Sequence, residues 1–511
     1  MGRRIRWLAL VLVACFAVVL IQLWNVQFRK AQALDSSSEN PLNVVKRYDN
    51  QRGMILAADG QTVLAESKLA TSGPYHYMRV YPTPDPSVYA PVVGYSSIFY
   101  GTSGIEYQYD RYLVAHSQPV QSLSQLLDPP PATTDNVVLT IEPYLQQAAM
   151  QALRDNPHPD KDGAVVVIDP HTGAILAMAS NPSFDPNLLA SPDIHQEQVA
   201  YYTYSQRDAE GFIPLRPIAT GEIFPPGSTA KVITTTAVYN LRPQLANFSF
   251  PTAGCLPLPQ SNRLLCNDAP GPQGAVPCGG TMQVMLPESC DPGYGALGIA
   301  LGADALSQQA AQFGYNAVPP IDLPGVVRSN YPTAAQLASN QLGAPGLAYS
   351  AIGQQDVAAT ALQNAMVAAG VANGGVVMTP HLLDQVRDAQ GRVVTSYQPT
   401  PYLRAASQQA AAQVVPLMEA VATNGTAAGI FPPQWQVAAK TGTAQTGRPD
   451  PTANTDDWMI AFAPASNPKV AVAVVVPYQE VSTSGAEVAG PIMRAVLQAA
   501  LNPPPGTGPL P

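Results

Sequence analysis

Charge is what this chain has least of. Of its 511 residues only 12% are charged, Lys+Arg 26 against Asp+Glu 35, for a net charge of −9, about half the usual ~25% share. A nucleic-acid role needs a basic surface to neutralise phosphates, so no nucleic-acid partner is expected. Histidine is nearly as thin. His76, His116, His158, His171, His195 and His381 are scattered, with no His-Glu-x-x-His helix and no Cys/His ligand spacing, which leaves metal: none as the expectation. Low charge with 52 prolines could signal disorder, but 46% apolar residues, 22 Tyr and 11 Phe can offset the ordering entropy of a real core. No internal repeat is visible.

One long apolar run is present. Trp7 to Ile21 is uninterrupted, and Leu23, Trp24, Val26 and Phe28 carry it past Gln22. A helix rises ~1.5 Å per residue and must cross ~30 Å of hydrocarbon, so the run suffices for one single-pass transmembrane helix. Arg3, Arg4 and Arg6 before it place the N-terminus in the cytoplasm and the bulk of the chain outside. The competing reading is a cleaved signal peptide, because Ala31-Gln32-Ala33 mimics a processing site. Arg29, Lys30 and the length of the run favour the anchor. Outside the membrane Cys255, Cys266, Cys278 and Cys290 can persist as disulfides. Three pairings are open, as are four free thiols. The turn-like Pro259-Gln260-Ser261-Asn262 between them favours Cys255–Cys266.

Periodicity divides the remainder. Residues 1–30 are a cytoplasmic stub and anchor, followed by a polar spacer at Asp35–Asn40. Residues 35–135 read as a β-rich pedestal, with a hairpin signal at Asp59-Gly60 and a Tyr/Gly/Pro-rich stretch (72–115) of little helical periodicity. Pro129-Pro130-Pro131 marks a stiff linker. Residues 137–500 alternate strand-like runs at both ends (137–141, 164–168, 174–179, 458–463, 470–476) with helical stretches at 143–154, 296–313, 354–373 and 404–423. That layout is an α/β (α+β) body whose sheet is assembled from distant segments. The tail 502–511 reads as disordered.

The sharpest local feature is Phe224-Pro225-Pro226-Gly227-Ser228-Thr229-Ala230-Lys231. A rigid approach places Ser228 in the first turn of an apolar helix, with Lys231 on the same face. A serine hydroxyl needs a base within reach to act as nucleophile, and a buried lysine disfavours its charged form enough to serve. Alone the pattern is weak, since Ser466-Asn467-Pro468-Lys469 repeats it in a loop. Two further segments strengthen it. Lys440-Thr441-Gly442-Thr443 follows a strand-like Val437-Ala438-Ala439, a cation and hydroxyls suited to a carboxylate. Ser289-Cys290-Asp291 lies between the two in order. Gly293-Tyr294-Gly295-Ala296-Leu297-Gly298 fits a dinucleotide fingerprint but follows no strand.

In this order the three segments resemble the Ser-x-x-Lys, Ser-x-Asn and Lys-Thr-Gly motif set of penicillin-binding proteins and serine β-lactamases. Pro-Gly-Ser-Thr-x-Lys and Lys-Thr-Gly-Thr-Ala-Gln are similar to class B penicillin-binding proteins, the monofunctional transpeptidases. So are Gln51-Arg52-Gly53-Met54-Ile55, Gly104-Ile105-Glu106, Leu139-Thr140-Ile141, Asp169-Pro170-His171-Thr172-Gly173 and Phe462-Ala463-Pro464. The Ala/Pro-rich, Lys-poor composition is similar to actinobacterial PbpA-type members. The resemblance implies a transpeptidase domain with an antiparallel sheet flanked by helices. It implies Ser228 as acylated nucleophile, Lys231 as general base and Ser289 as proton relay. Lys440, Thr441, Gly442 and Thr443 would hold the carboxylate of a D-Ala-D-Ala stem peptide, and the backbone N–H groups of Ser228 and Thr443 would form the oxyanion hole. It also implies β-lactam binding, no cofactor, and a membrane glycosyltransferase partner of the SEDS type, since 35–135 is too short to be a glycosyltransferase domain. Asp291 departs from the family's Asn. Either it caps the helix that Pro292 begins, or it joins the site and favours a charged Lys231. A hydrolase of the same fold (D,D-carboxypeptidase or β-lactamase) and a catalytically weak penicillin-binding scaffold or sensor are the alternatives.

Overall fold

The computed structural model describes residues 2–29, 49–70, 75–116, 132–157, 161–267, 275–339, 342–448, 450 and 454–505. The spacer at 35–40, the Ala31-Gln32-Ala33 site, the Pro129–Pro131 linker and the tail from residue 506 lie outside these residues. Gly2–Trp24 forms α1, whose side chains are all exposed. Among the described residues it belongs to the one helix long and apolar enough to cross a membrane.

Beyond it, Ile55–Leu56 (β1), Val63–Leu69 (β2), Tyr77–Val80 (β3) and Asn136–Leu139 (β4) open the N-terminal sheet. Pro143–Arg154 (α2), Gly163–Ile168 (β5), Ile175–Asn181 (β6), Lys231–Leu241 (α3), Asp291–Gln312 (α4) and Ala361–Ala372 (α5) follow. Leu383–Arg387 (β7), Val393–Ser396 (β8), Gln408–Asn424 (α6), Ala438–Gln445 (β9), Thr455–Ala463 (β10), Val470–Gln479 (β11) and Ala489–Leu501 (α7) complete the frame.

Five strands in the order β9-β10-β11-β5-β6 form an antiparallel sheet. Every residue of β5 and β10 is buried, so both faces are covered, and β5 and residues 458–463 of β10 read as unbroken apolar runs rather than alternating ones. Helices α2 and α7 pack on each other and on the sheet, and α5 packs against β5, β10 and β11. β9 is an edge strand, and its end of the sheet meets the turn before α3. The mixed α/β architecture is the one the resemblance implied.

The second sheet has six strands, ordered β8-β7-β4-β1-β2-β3. β1 pairs with β4 in parallel, and β7 pairs with β4 antiparallel. Strands from both sides of position 136 thus share one hydrogen-bonded sheet. Local patterning could not foretell this, because the partner segments are hundreds of positions apart. Where 72–115 lacked helical periodicity, the chain forms Ala90–Val93, Gly104–Gln108 and Asp110–Leu113, helices of about one turn and too short to display a period. The stretches 354–373 and 404–423 start later than expected. Thr360 and Ser407 cap α5 and α6, with hydroxyls accepting from Gln363 N at 3.0 Å and Ala410 N at 3.1 Å.

The N-terminal lobe closes around a fully buried Glu106. Its carboxylate accepts from Arg52 Nε at 2.7 Å and Arg79 Nε at 2.5 Å. Burial alone would push this carboxyl up, but the two guanidinium groups hold it below its ordinary value. Arg52 also donates to Asp110 at 2.7 Å and Arg79 to the Gly53 carbonyl at 2.7 Å, which ties β1, β3 and the 104–113 helices together. Glu106→Ala would leave two buried cations facing each other, so a loss of about 3–5 kcal/mol is expected. Thermal unfolding of the variant measures it; a midpoint equal to wild type would refute the account.

Candidate active site

Pro225 and Pro226 bring the chain to the edge of β9, where the Trp458 indole donates to the Pro225 carbonyl at 2.9 Å. Gly227 then turns at φ 52, and a Cβ there would stand 2.8 Å from the Thr443 carbonyl oxygen. Only glycine lets the turn sit this close to the strand. Residues 227–230 form a single 3-10 turn carrying Ser228, which is partly exposed, and α3 begins at Lys231. α3 is rich in β-branched residues, poor helix formers held here by burial. Its threonines satisfy themselves: Thr235 and Thr236 donate to the Lys231 and Val232 carbonyls at 2.7 Å, and Thr234 to Ala351 O at 2.7 Å.

Lys231 is fully buried, and its amine is the hub of the site. Nζ donates to Asp291 Oδ1 at 2.6 Å and to the Ser289 carbonyl at 2.6 Å, and lies 3.2 Å from Ser289 Oγ. From the other side Lys440 Nζ, equally buried, donates to the same Ser289 hydroxyl at 2.9 Å. Ser289 reaches both amines from a left-handed backbone, φ 57, unusual for a non-glycine residue. The next residue, Cys290, is bonded to Cys278, and a second disulfide joins Cys255 to Cys266.

Asp291 is the first helical residue of α4 rather than its cap. Cys290 occupies the cap position, and Asn267 Oδ1 accepts from Asp291 N at 3.0 Å. The Asp291 carboxylate is turned to Lys231. The fingerprint-like glycines of α4 serve packing: a Cβ on Gly295 would lie 2.4 Å from Leu265 and one on Gly298 2.4 Å from Ala351. In the second Ser-x-x-Lys segment, Ser466 bonds Gln436 at 2.7 Å in the connection between β10 and β11.

On β9, Lys440 and Gly442 face the Ser228 turn, where a Cβ on Gly442 would meet Pro226 O at 2.8 Å and Thr229 Cγ2 at 2.9 Å. Thr441 is buried and its hydroxyl is hydrogen-bonded to Thr426 at 2.6 Å, a residue the sequence motifs gave no reason to select. Thr443 is exposed, and its Oγ1 accepts from Gly485 N at 3.0 Å. Asn267, Cys278 and Asp457, which lies across from Thr443 on β10, likewise belong to no motif.

Two amines and one carboxylate in a dry space cannot all be ionised in comfort. Burial lowers the Lys231 amine, and the Asp291 carboxylate opposes that. Lys440 is driven well below its ordinary value by burial and then by the neighbouring Lys231, with Asp291 opposing. Burial thus pulls both amines towards the neutral form, the form that can take a proton from an alcohol, and both lie within reach of the Ser289 hydroxyl. Among the described residues no group of three or more His, Cys, Asp or Glu stands ready for a metal ion.

Comparison with known proteins agrees with this geometry. Residues 163–498 match the penicillin binding protein transpeptidase domain, and residues 52–136 match the penicillin binding protein A dimerisation domain. Peptidoglycan D,D-transpeptidase PbpA of Mycolicibacterium smegmatis is 37% identical, with 96% of this chain and 98% of that protein covered. The protein of the same name from Mycobacterium tuberculosis is 35% identical over 99% of this chain and 100% of its own length. The structure of M. tuberculosis penicillin-binding protein A as a penicillin G acyl-enzyme complex superposes with a TM-score of 0.75 at 35% identity, covering 89% of this chain and all of that one. On its transpeptidase domain, its N-terminal domain and its near full-length likeness to these relatives, the chain belongs to the penicillin-binding protein family.

Proposed function

We propose that this chain is a membrane-anchored peptidoglycan D,D-transpeptidase that forms a serine acyl-enzyme on D-Ala-D-Ala stem peptides and is acylated by β-lactams. The observation that carries the reading is the Ser289 hydroxyl bridging two buried lysine amines beside the Ser228 turn. Ser228 attacks the carbonyl of the terminal D-Ala-D-Ala bond and passes its proton to the Lys231 amine, which must be neutral to take it. The backbone N–H groups of Ser228 and Thr443 receive the oxyanion. The proton moves through Ser289 to the departing D-alanine amine, while Lys440, with Thr441 and Thr443, holds the terminal carboxylate. An amine of a neighbouring stem peptide then attacks the ester, releases Ser228 and closes the cross-link; water in its place would give carboxypeptidase activity. The chemistry requires no cofactor.

Anchoring by α1 with the N-terminus cytoplasmic rests on Arg3, Arg4 and Arg6 before the apolar run. Residues 1–30 would be stub and anchor, 35–135 a pedestal, 137–500 the catalytic body and 502–511 a tail. Strand polymerisation is left to a separate membrane glycosyltransferase, of the SEDS type in the family this chain resembles.

A second reading has one observation in its favour. The Asp291 contact at 2.6 Å favours a protonated Lys231, which would make the chain a weak enzyme acting as scaffold or sensor. Labelling with a fluorescent penicillin separates an acylating site from a silent scaffold. Wild type should label and Ser228→Ala should not; an unlabelled wild type would support the scaffold. Asp291→Asn removes the group that raises the Lys231 amine, leaving burial to lower it further. The acid limb of the acylation profile should then move to lower pH, each unit worth about tenfold in rate on that limb. Slower acylation at every pH would instead mean that Asp291 is needed to place Lys231.

A further inference from the structure

Asp457 lies directly across from Thr443 in the β9–β10 ladder, on the sheet face opposite Lys440 and Gly442. It is fully buried, and one of its oxygens, Oδ1, has no hydrogen-bond partner among the described residues. The other oxygen accepts from the Thr483 hydroxyl at 2.7 Å, and Thr443 is its cross-strand neighbour, near enough for its hydroxyl to favour the ionised carboxyl. The segment carrying Thr483 is pressed flat on the sheet. A Cβ on Gly485 would stand 2.2 Å from Trp458 O and 2.3 Å from Gly442 O, and Gly485 N donates to Thr443 Oγ1. The Thr443 hydroxyl thus has an N–H on one side and a carboxyl on the other.

We propose that Asp457 is a positioning residue for substrate: its carboxyl decides whether the Thr443 hydroxyl keeps its proton for a ligand's carboxylate or gives it to Asp457. This rests on the transpeptidase reading, in which Thr443 binds that carboxylate. An ionised Asp457 can only accept, so the Thr443 O–H points inward and presents lone pairs to an anion. A protonated Asp457 no longer claims the hydrogen, and Thr443 can donate outward. By linkage, an anionic ligand at Thr443 favours the protonated form of Asp457 equally.

Burial raises the carboxyl to about 7; the Thr483 and Thr443 hydroxyls oppose this and the Glu487 charge adds to it. The other charged or titratable groups on the neighbouring elements are Asp456 on the same strand, Arg448 after β9, Tyr478 on β11 and Glu480 on the segment over the sheet, with Lys440 on the opposite face of β9. Asp456 faces the other way: its Oδ1 accepts from Tyr478 N at 3.2 Å.

Second-order acylation by a carboxylate-bearing penicillin tests the proposal in full-length protein, with the binding constant and the acylation rate constant separated by concentration dependence. The ratio of Asp457→Asn to wild-type efficiency should rise about tenfold between pH 6 and pH 8, the change in protonated fraction of one group titrating near 7. The rise should reside in binding rather than in the acylation rate constant. Asp456→Asn serves as the control and should keep the wild-type profile. Thr483→Val removes one donor to the carboxylate, so the wild-type inflection should move to higher pH; this variant decides the matter if Asp457→Asn does not fold. A flat ratio, a change confined to the acylation rate constant, or an unmoved inflection in Thr483→Val overturns the proposal while leaving the transpeptidase reading intact. Absence of acylation in wild type removes that reading and this inference with it.

Discussion

A single hydroxyl, that of Ser289, holds two buried ammonium-forming groups within hydrogen-bond reach. Two cations in a dry pocket repel at a high Coulomb cost, and the single carboxylate of Asp291 opposes the loss of a proton from Lys231, the amine it touches. Much of the local architecture serves this arrangement. α3 delivers Lys231 from a wholly buried face, β9 delivers Lys440 from the sheet edge, and the left-handed Ser289 sits where the two meet. Remove the burial and both amines become ordinary surface lysines, useless as bases at neutral pH.

The supports of that hydroxyl are covalent as well as packed. Cys290, inside the motif itself, is bonded to Cys278, and Asn267 from the adjoining hairpin fixes the first N–H of α4. Ser289 and Asp291 flank the bridged residue, so the two groups that address Lys231 are held from between. Gly227 and Gly442 complete the frame from the opposite wall, each at a contact too close for any side chain.

How far the sequence spoke for itself differs residue by residue. Ser228 and Lys231 were legible because a rigid Pro-Pro approach and a three-residue spacing state a helix turn in local terms. The buried strands 164–168 and 470–476 were legible as apolar runs. Asp291 was ambiguous because Asp-Pro is also a sound helix start; its place one residue past the cap and its contact with Lys231 resolve it. Asp457 and Thr426 carried no motif, since their meaning arises from strand register and from a neighbour far away in the chain. The joining of β7 to β4 was invisible for the same reason: strand pairing over such a separation leaves no local mark.

That joined sheet imposes an order of events on biogenesis. β4 sits between β1 and β7, so the N-terminal sheet lacks a central neighbour until residue 387 has been synthesised. Until then β4 presents an open row of backbone donors and acceptors, a template for wrong partners. Pairing at so great a distance is slow, because loop closure must precede the contacts that reward it. The growing chain therefore carries an unfinished first lobe through most of its synthesis, and a nascent form stopped short of residue 383 would be a candidate for capture by chaperones or proteases.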